Sequence, residues 1–491
     1  MRILNAATLT SHGNVAGRRA VVAILEAGLE AADPYHNTRS LLHLDRETLT
    51  VGNVACQPIG DPKFGQDEVI DLRAIDRIFV FGAGKGAQRV AKAIEDVLGD
   101  RVMGGAIIAK HDDPLELSRV EVWYGAHPVP DEGCVRGCAR IVELTKDLTE
   151  RDLVFTVAGN GVSSLLTSPV PGVTLKDVQQ LTRLMQIERG VPTIDLNPVR
   201  NNIDALKGGK VSRRLRKARA IHLVMADPCG QMIASSASPY EDLMTKNVWL
   251  HFLPDGTSFD QAIAVLKKWD CWERAPESIR SFLLRADPAW ETVRAAEFAT
   301  WGHRVFGVMP ASIGMLPTAE RKAAELGFTP HRLTSEVIAE ARVVGTAWAS
   351  IATSCLADGK PFAPPCAIFS SGELVVTVGQ ANGVGGRNQE FALSAALAID
   401  GRLRIVIGAV DSDGTDGPGT QFSGSKDIPT LAGAVVDGET VAEALAAGLD
   451  LRAELGRHNT TPPLWALASG VVATHGVSMN DLDVILIMPE G

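Results

Sequence analysis

The stretch ELVVTVGQANGVGGRNQEFALSAALAI, residues 373–399, contains the pattern from which the fold is predicted. Leucine and β-branched residues at 374–378 predict a buried strand, and the Ala/Leu run at 391–399 predicts a helix. The glycine-rich turn at 383–386 joins them almost without side chains. A strand, glycine turn and helix in this order leave backbone N–H groups at the positive end of the helix dipole. We therefore expect an anion at this turn.

Arg387 stands at the same turn and carries a planar guanidinium that suits phosphate or carboxylate. Glycine turns also serve as plain connections, so one turn alone does not define a ligand site. The chain repeats the arrangement, because apolar runs at 77–81 and 153–157 each lead into a turn of small residues. This repetition favours ligand binding over simple connection.

Composition limits the class of protein. The chain has 491 residues, which predicts two or three domains, and its net charge of −10 argues against nucleic-acid binding. No apolar run reaches the roughly 18–20 residues that a membrane span needs. Seven cysteines without a C-x-x-C pair indicate reduced thiols, and no signal-peptide core is apparent, so we expect a cytoplasmic protein.

Strand and helix signals alternate along the whole chain. This alternation predicts an α/β protein of two domains, each a mostly parallel sheet flanked by helices in Rossmann-like layers. A change of composition places the boundary near residue 302, after a tryptophan-rich helical region.

Carboxylates follow two of the predicted strands. Asp227 comes directly after an apolar run, where open α/β sheets place their chemistry. Asp411, Asp413 and Asp416 share one loop, with a spacing that differs from that of an EF-hand. These three either hold Mg²⁺ through water or cap turns, and the sequence leaves both readings open.

Basic residues cluster between residues 200 and 216. Arg200 and Lys207 flank short turns and are candidates to bind a ligand. Arg213, Arg214 and Arg216 follow on one short helix, and a basic run of this kind usually forms a solvated face. We assign these three to the surface.

The turn at 82–87 fits two templates. Gly82-x-Gly84-x-x-Ala87 matches the dinucleotide fingerprint, but the acidic residue that binds a ribose is missing at the usual spacing. The turn is not a Walker A loop, because a glycine follows Lys85. Lys85 therefore either meets a phosphate or is solvated. A nicotinamide-dependent oxidoreductase acting on hydroxypyruvate is kept as an alternative function.

Taken together and in order, the motifs resemble the type-2 glycerate kinase family, whose members carry a C-terminal MOFRL domain. The matching segments are GAGK at 82–85, HPVPD at 127–131, N-x-V-R…K-G-G at 197–209, S-G-E at 371–373, G-x-G-G-R-N-Q-E at 383–390 and D-G-T-D-G at 413–417.

The resemblance implies a glycerate-kinase-like α/β domain at 1–302 and a MOFRL-type α/β domain at 303–491, with the active site in a cleft between them. It also implies that ATP phosphorylates the 2-hydroxyl of D-glycerate, or of a closely related hydroxy acid, to give 2-phosphoglycerate. The expected partner is this small-molecule acid, and a homodimer is left open.

By the same resemblance, Lys85 and Arg387 would hold phosphates and carboxylate, and Asp227 would lie near the attacking hydroxyl. Positive charge around the transferring group suits phosphoryl transfer, so ATP and Mg²⁺ are the expected cofactors. The remaining expected contacts are Gly82, Gly84, Gly159, Gly161, Ser163, Lys207, Gly385 and Gly386 for the nucleotide, Asn197 and Arg200 for the substrate, and Asp411, Asp413 and Asp416 for the metal.

The chain departs from the family pattern in its first domain. The changed positions are the turn at 159–164, the segments 226–231 and 235–238, and Asn202 and Asp204. These changes favour either a different acid acceptor or a relative that binds nucleotide or sugar acid without turnover. Both stay open beside D-glycerate.

Overall fold

The computed structural model describes residues 1–111, 113–226, 239–310, 312–379, 381–417, 427–474 and 480–490. The chain folds as two compact units, one formed by Met1–Asp33 with Ala311–Gly491 and the other by Pro34–Pro310. The predicted boundary near residue 302 lies close to the second crossing point. The predicted N-terminal domain, 1–302, includes residues 1–33, whereas the structure groups these residues with the C-terminal unit.

Three sheets form the framework. Their strands are, in chain order, β1 (Leu42–Asp45), β2 (Thr48–Val51), β3 (Glu68–Asp71), β4 (Arg77–Ala83), β5 (Val102–Lys110), β6 (Glu121–Gly125), β7 (Asp152–Ala158), β8 (Arg219–Val224), β9 (Arg304–Gly307), β10 (Thr329–Val337), β11 (Cys366–Gly372), β12 (Ile405–Asp411), β13 (Gly433–Asp437), β14 (Gly470–Val471) and β15 (Asp481–Ile487).

Helices connect and cover these strands. They are α1 (Ala6–Leu9), α2 (Val15–Ala31), α3 (Pro34–Leu41), α4 (Ala87–Leu98), α5 (Glu132–Leu144), α6 (Val162–Leu165), α7 (Leu175–Thr182), α8 (Thr193–Asn202), α9 (Lys210–Leu215), α10 (Pro239–Thr245), α11 (Phe259–Lys268), α12 (Glu277–Arg285), α13 (Ala295–Ala299), α14 (Met315–Glu325), α15 (Ala341–Asp358), α16 (Arg387–Ala398), α17 (Thr440–Ala446), α18 (Leu451–Gly456) and α19 (Thr461–Ala466). In the described part of the chain, none of them is long and apolar enough to cross a bilayer.

The 34–310 unit contains a six-stranded parallel sheet in the order β6-β5-β4-β7-β8-β9. Numbered within this sheet, the order is 3-2-1-4-5-6, the doubly wound arrangement of dinucleotide-binding folds. The central strands β4 and β7 are buried almost throughout, because helices cover both faces of the sheet. The strand order reverses between β4 and β7, and ligands of such sheets bind in the crevice beyond the carboxyl ends of the strands at this point.

The C-terminal unit has a six-stranded sheet in the order β10-β11-β15-β12-β13-β14. Only β10 and β11 are parallel neighbours, and the other four pairings are antiparallel. The α/β class and the two-unit layout are confirmed, but the prediction of a mostly parallel second sheet is wrong. The reason is the last strand, β15, which inserts between β11 and β12 and runs antiparallel to both.

Residues 374–378 are not the predicted buried strand. The strand lies earlier, at β11, and the apolar run that follows it is an extended segment with a single bridge between Val375 and Glu340. Leu374 is buried, but Val375 and Val378 are each more than two-fifths exposed. The buried strand of this region is β11, which lies between β10 and β15 in the sheet.

The first helices join the C-terminal unit because α2 packs on its sheet. Gly408 in β12 leaves space that Val21 of α2 fills, since a Cβ at this glycine would lie 2.4 Å from a Val21 methyl carbon. Arg18 of α2 is fully buried, and its Nε donates to Asp437 Oδ2 at 2.5 Å. An ion pair of this kind fixes the helix on the sheet, because either charge alone would be costly to bury.

A pair of buried histidines makes the stability of the 34–310 unit sensitive to acid. His222 Nδ1 lies 2.7 Å from Thr156 Oγ1, and its Nε2 lies 3.1 Å from His303 Nδ1. Burial lowers the pKa of His303 to about 4 and that of His222 well below its usual range. The folded state therefore favours neutral rings, and this stability is fully present above pH 6.5 and lost as the pH falls towards 4.

We expect the free energy of unfolding to fall by about 1.4 kcal/mol per pH unit for each such histidine below pH 6.5. His303→Asn keeps a hydrogen-bonding group near His222 and removes one titrating ring, so it should flatten this pH dependence. Urea unfolding at pH 4.5, 5.5 and 7 measures the slope. His43→Asn, at an exposed histidine, is the matched control and should leave the slope unchanged. An equal slope in both variants would contradict the assignment.

Candidate active site

Two glycine turns meet at the carboxyl ends of β4 and β7. Gly159 N donates to Ala83 O at 3.0 Å, and Lys85 N donates to Asn160 O at 2.8 Å. Gly84 has φ +136°, and a Cβ on it would lie 2.5 Å from Gly159 Cα. Glycine is required here because any side chain would collide with the opposite turn. Two turns that the sequence predicts separately thus form one structure at the switch point of the sheet.

The neighbouring glycines have different surroundings. Gly82 lies inside β4, where a Cβ would come within 2.5 Å of Val157 O, so its missing side chain serves strand packing. Gly161 has φ +79° and precedes α6, and a Cβ on it would lie 3.1 Å from His127 Cδ2. Gly161 therefore brings the second turn close to an imidazole ring.

Ser163 is bonded to a histidine that the sequence analysis did not select. Its Oγ lies 2.8 Å from His251 Nε2. His251 is buried in the segment between α10 and α11, within the apolar run WLHFL, and nothing in that run distinguishes it from a packing residue. Burial lowers the pKa of His251 well below its usual range, and Lys207 and Arg200 lower it further. The ring is neutral at physiological pH.

Arg200 and Asn197 lie on one face of α8, and both have hydrogen-bonding capacity that the described residues leave unfilled. Arg200 is 8% exposed, and its Nη2 donates to Gln186 Oε1 at 2.8 Å. No carboxylate among the described residues pairs with it, and burial lowers its pKa to about 10. Asn197 is fully buried, and neither its Oδ1 nor its Nδ2 has a partner there. Buried polar groups are normally satisfied, so both side chains indicate a ligand site.

Gln186 is also absent from the sequence prediction. It lies in the π-helical turn Arg183–Glu188 that continues α7. Such turns are rare and are frequently found at functional sites. Here the turn brings a neutral amide oxygen to Arg200, which orients the guanidinium without neutralising its charge.

Lys207 and Lys210 supply further positive charge near His251. Lys207 is buried, and its Nζ lies 2.8 Å from Asp204 Oδ2 and 3.2 Å from Thr167 Oγ1. The predicted nucleotide contact thus takes part in an internal ion pair, and its contact with a nucleotide stays a prediction. Burial lowers the pKa of Lys210 to about 8, and its Nζ donates to the backbone oxygen of Asn201 in α8.

Asp227, the predicted residue at the attacking hydroxyl, lies outside the described residues. Strand β8 ends at Val224, at the same edge of the sheet as the two turns. The role of Asp227 stays a prediction.

In the C-terminal unit, Arg387 is the first residue of α16 and is held by carboxylates. Its Nε lies 2.8 Å from both oxygens of Asp481, and its Nη2 lies 3.0 Å from Asp411 Oδ2. Burial opposes the charged form, but Asp481 and Asp411 outweigh it and raise the pKa of Arg387. The sequence analysis did not find Asp481, because it lies at the start of a strand far along the chain.

The anion expected at the start of α16 is supplied by the chain itself. Asp416 is buried, and it accepts hydrogen bonds from Asn388 N at 3.1 Å and Gln389 N at 2.9 Å. A Cβ on Gly386 would lie 2.3 Å from Asp416 Cγ, and one on Gly385 would lie 2.3 Å from a side-chain oxygen. These glycines make room for the protein's own groups, and their contact with a nucleotide stays a prediction.

The predicted magnesium triad is not assembled. Asp411 Oδ1 accepts from Asp413 N at 3.0 Å, and Asp413 Oδ1 accepts from Thr415 N at 2.9 Å. Within the part of the chain that the structure describes, no group of three or more His, Cys, Asp or Glu side chains is arranged to hold a metal ion. Of the two readings of this loop, the described geometry supports turn and helix capping.

Comparison with known proteins gives the same picture over nearly the whole chain. Residues 20–284 match the model described as a domain of unknown function, DUF4147, and residues 366–482 match the MOFRL family. D-glycerate 2-kinase of Thermotoga maritima is 31% identical over 86% of this chain and 93% of its own length. A putative hydroxypyruvate reductase of Agrobacterium vitis is 30% identical over 87% of this chain and 91% of its own.

A solved structure is also similar. The crystal structure of glycerate kinase from Thermotoga maritima aligns with a TM-score of 0.73 at 26% identity. The alignment covers 96% of this chain and 99% of that chain. The similarity therefore includes both units.

Proposed function

Because the chain belongs to the glycerate kinase family, we propose that it transfers a phosphoryl group from ATP to the 2-hydroxyl of D-glycerate or a closely related hydroxy acid. The product with D-glycerate is 2-phosphoglycerate. The name hydroxypyruvate reductase also occurs among relatives of similar identity, so the reductase is kept as an outcome that the assay must separate.

The observation that carries the proposal is a cation on α8 that no carboxylate of the described residues pairs with. Arg200 is buried without a carboxylate partner among the described residues, and Asn197 beside it has a buried, unpartnered amide. A buried charge is costly unless it is paired. The carboxylate of a hydroxy acid would supply the missing charge, and the fork of Arg200 suits it in geometry. We assign Arg200 and Asn197 to the acid.

The nucleotide phosphates fit best beside Lys85. The turn at Gly84–Gly86 leads into α4, a helix of twelve residues, so backbone N–H groups and the dipole favour a phosphate there. Lys85 adds the positive charge that phosphoryl transfer requires. The hydrogen bond from Lys85 N to Asn160 O links this turn to the segment that carries Ser163. This link supports a common site for ATP and acid in the 34–310 unit.

The carboxylates proposed for Mg²⁺ do not fit the ion. Asp416 is occupied by backbone N–H groups, and Asp411 is bound to Arg387. We therefore assign no protein ligand to Mg²⁺ and keep it as the ion that accompanies ATP. Arg387 keeps its proposed contact with phosphate as an untested assignment.

The test is release of ADP with ATP, Mg²⁺ and a panel of hydroxy acids that includes D-glycerate. Lys85→Ala is the variant, and Lys146→Ala, at an exposed lysine elsewhere in the same unit, is its matched control. We expect turnover of D-glycerate that Lys85→Ala abolishes and Lys146→Ala retains. Oxidation of NADH by hydroxypyruvate, followed directly at 340 nm, would favour the reductase. Binding of the acid without ADP release would favour a relative without turnover.

A further inference from the structure

The hydrogen bond between Ser163 and His251 has the features expected of a functional site. Ser163 is partly exposed, and its Oγ lies 2.8 Å from His251 Nε2. The next residue, Ser164, is buried, and its hydroxyl donates to Ala126 O at 2.9 Å, as expected for a structural serine. The two adjacent serines thus differ. The hydroxyl of Ser164 donates to a backbone oxygen, whereas that of Ser163 is bonded to a buried imidazole ring.

The surroundings of His251 decide which nitrogen carries the proton. Its Nδ1 is buried and has no hydrogen-bond partner among the described residues. A buried N–H without a partner is rarer than a buried lone pair without one. The charged groups that act most on the ring are cations: Lys207, Arg200 and Lys210. Because Nε2 has Ser163 Oγ as a partner and Nδ1 has none among the described residues, the proton lies on Nε2.

This tautomer determines what Ser163 can do. The Nε2–H of His251 donates to Ser163 Oγ and occupies one of its lone pairs. The hydroxyl hydrogen of Ser163 is then left to donate to another group. A serine held in this way binds an acceptor, and the cations that act on the neighbouring ring favour an oxyanion as that acceptor.

We infer that His251 is a positioning residue that directs the Ser163 hydroxyl hydrogen towards an oxyanion of the bound reactants. The inference rests on the proposed function and assigns to it a residue that the motifs do not contain. Two oxyanions share the required chemistry, the carboxylate of the acid and a phosphate of ATP. The KM for each reactant distinguishes them.

The test compares His251→Gln with His251→Phe. The amide nitrogen of glutamine can reach the place of Nε2 and donate, whereas phenylalanine fills the space without donating. We expect His251→Phe to raise one KM about tenfold, the size of one hydrogen bond in a charged site, and His251→Gln to recover most of the loss. The reactant whose KM changes is the one that Ser163 contacts. Ser164→Ala, the matched control, should leave both KM values unchanged.

A double-mutant cycle separates positioning from support of the fold. If His251 acts through Ser163, His251→Phe should have no further effect on KM in a Ser163→Ala background. Equal effects in both backgrounds would overturn the inference.

The tautomer is read independently from ¹⁵N chemical shifts of His251 in the ligand-free protein, compared with the His251→Gln spectrum. We expect the proton on Nε2. A proton on Nδ1 would overturn the inference even if the enzyme is an active kinase, and a proton on Nε2 would support it even if no acid is turned over.

Discussion

Arg200→Met should leave the protein at least as stable as the parent while turnover of the acid falls by two to three orders of magnitude. Arg200 is buried, has no carboxylate partner among the described residues, and has its pKa lowered to about 10 by that burial. Replacing it with an apolar side chain of similar length removes this cost. We expect the free energy of unfolding to stay unchanged or rise by about 1–2 kcal/mol.

The loss of activity follows from the same burial. Without Arg200, the substrate carboxylate would enter an enclosed site that lacks its counter-ion, at a cost of roughly 3–4 kcal/mol. This corresponds to a factor of about 10² to 10³ in kcat/KM. Steady-state kinetics with varied acid, and urea unfolding of the same preparations, measure the two effects.

Arg304 provides the matched control, because it is also a buried arginine of the 34–310 unit. Arg304 Nη1 lies 2.9 Å from Glu68 Oε2, so the charge of Arg304 is paired within the protein. Arg304→Met should therefore destabilise the protein and leave the KM for the acid unchanged. If Arg200→Met destabilised the chain as much as Arg304→Met does, Arg200 would be a structural arginine and the proposed acid site would be wrong.

The parallel sheet could be predicted because the signals that define its strands lie close together in the sequence. Strands β4 and β7 are continuous apolar runs, each followed by a glycine turn and a helical or capping signal. The second sheet could not be predicted in the same way. The direction of its strands depends on β15, which pairs with β11 and β12 from 70 or more residues away in the chain. Alternation of strand and helix signals does not encode such a pairing.

The residues of the candidate site also divide into those that could be predicted from the sequence and those that could not. Glycines in strained or crowded turns, such as Gly84, can be found from the sequence because few other residues tolerate those positions. His251 could not be found, since a single histidine in an apolar run usually packs in the core. The sequence leaves two readings of Asp416 open, metal binding and capping. They differ only in what its carboxylate oxygens contact, and that contact depends on where α16 begins.

Arg387 is paired with carboxylates, whereas Arg200 has no carboxylate partner among the described residues, so the two substitutions should affect stability differently. In the C-terminal unit, Asp411 and Asp481 stand opposite each other on the neighbouring antiparallel strands β12 and β15. Like charges at facing positions repel each other, and Arg387 binds both carboxylates. Arg387→Met should therefore lower the free energy of unfolding by about 3–5 kcal/mol at pH 7.5, because two buried carboxylates lose their counter-ion.

The destabilisation should also depend on pH in a defined direction. Burial, opposed by Arg387, raises the pKa of Asp481 to about 6 in the parent chain. The folded state thus binds a proton more readily than the unfolded chain, and stability falls as the pH rises through this range. Removal of Arg387 raises the pKa of Asp481 further, so the variant should lose most stability above pH 6 and recover part of it at pH 5. Urea unfolding at pH 5, 6.5 and 8 measures this change.

Arg387→Lys is the matched variant, because it retains the charge and loses the guanidinium that donates to Asp481 through Nε and to Asp411 through Nη2. Its destabilisation should be smaller than that of Arg387→Met and nearly constant with pH. If both variants lost the same stability at every pH, packing of the side chain would account for the effect and the charge network would not. If neither lost stability while both lost turnover, Arg387 would act on the transferred phosphate alone, and the carboxylates around it would serve to orient it for that contact.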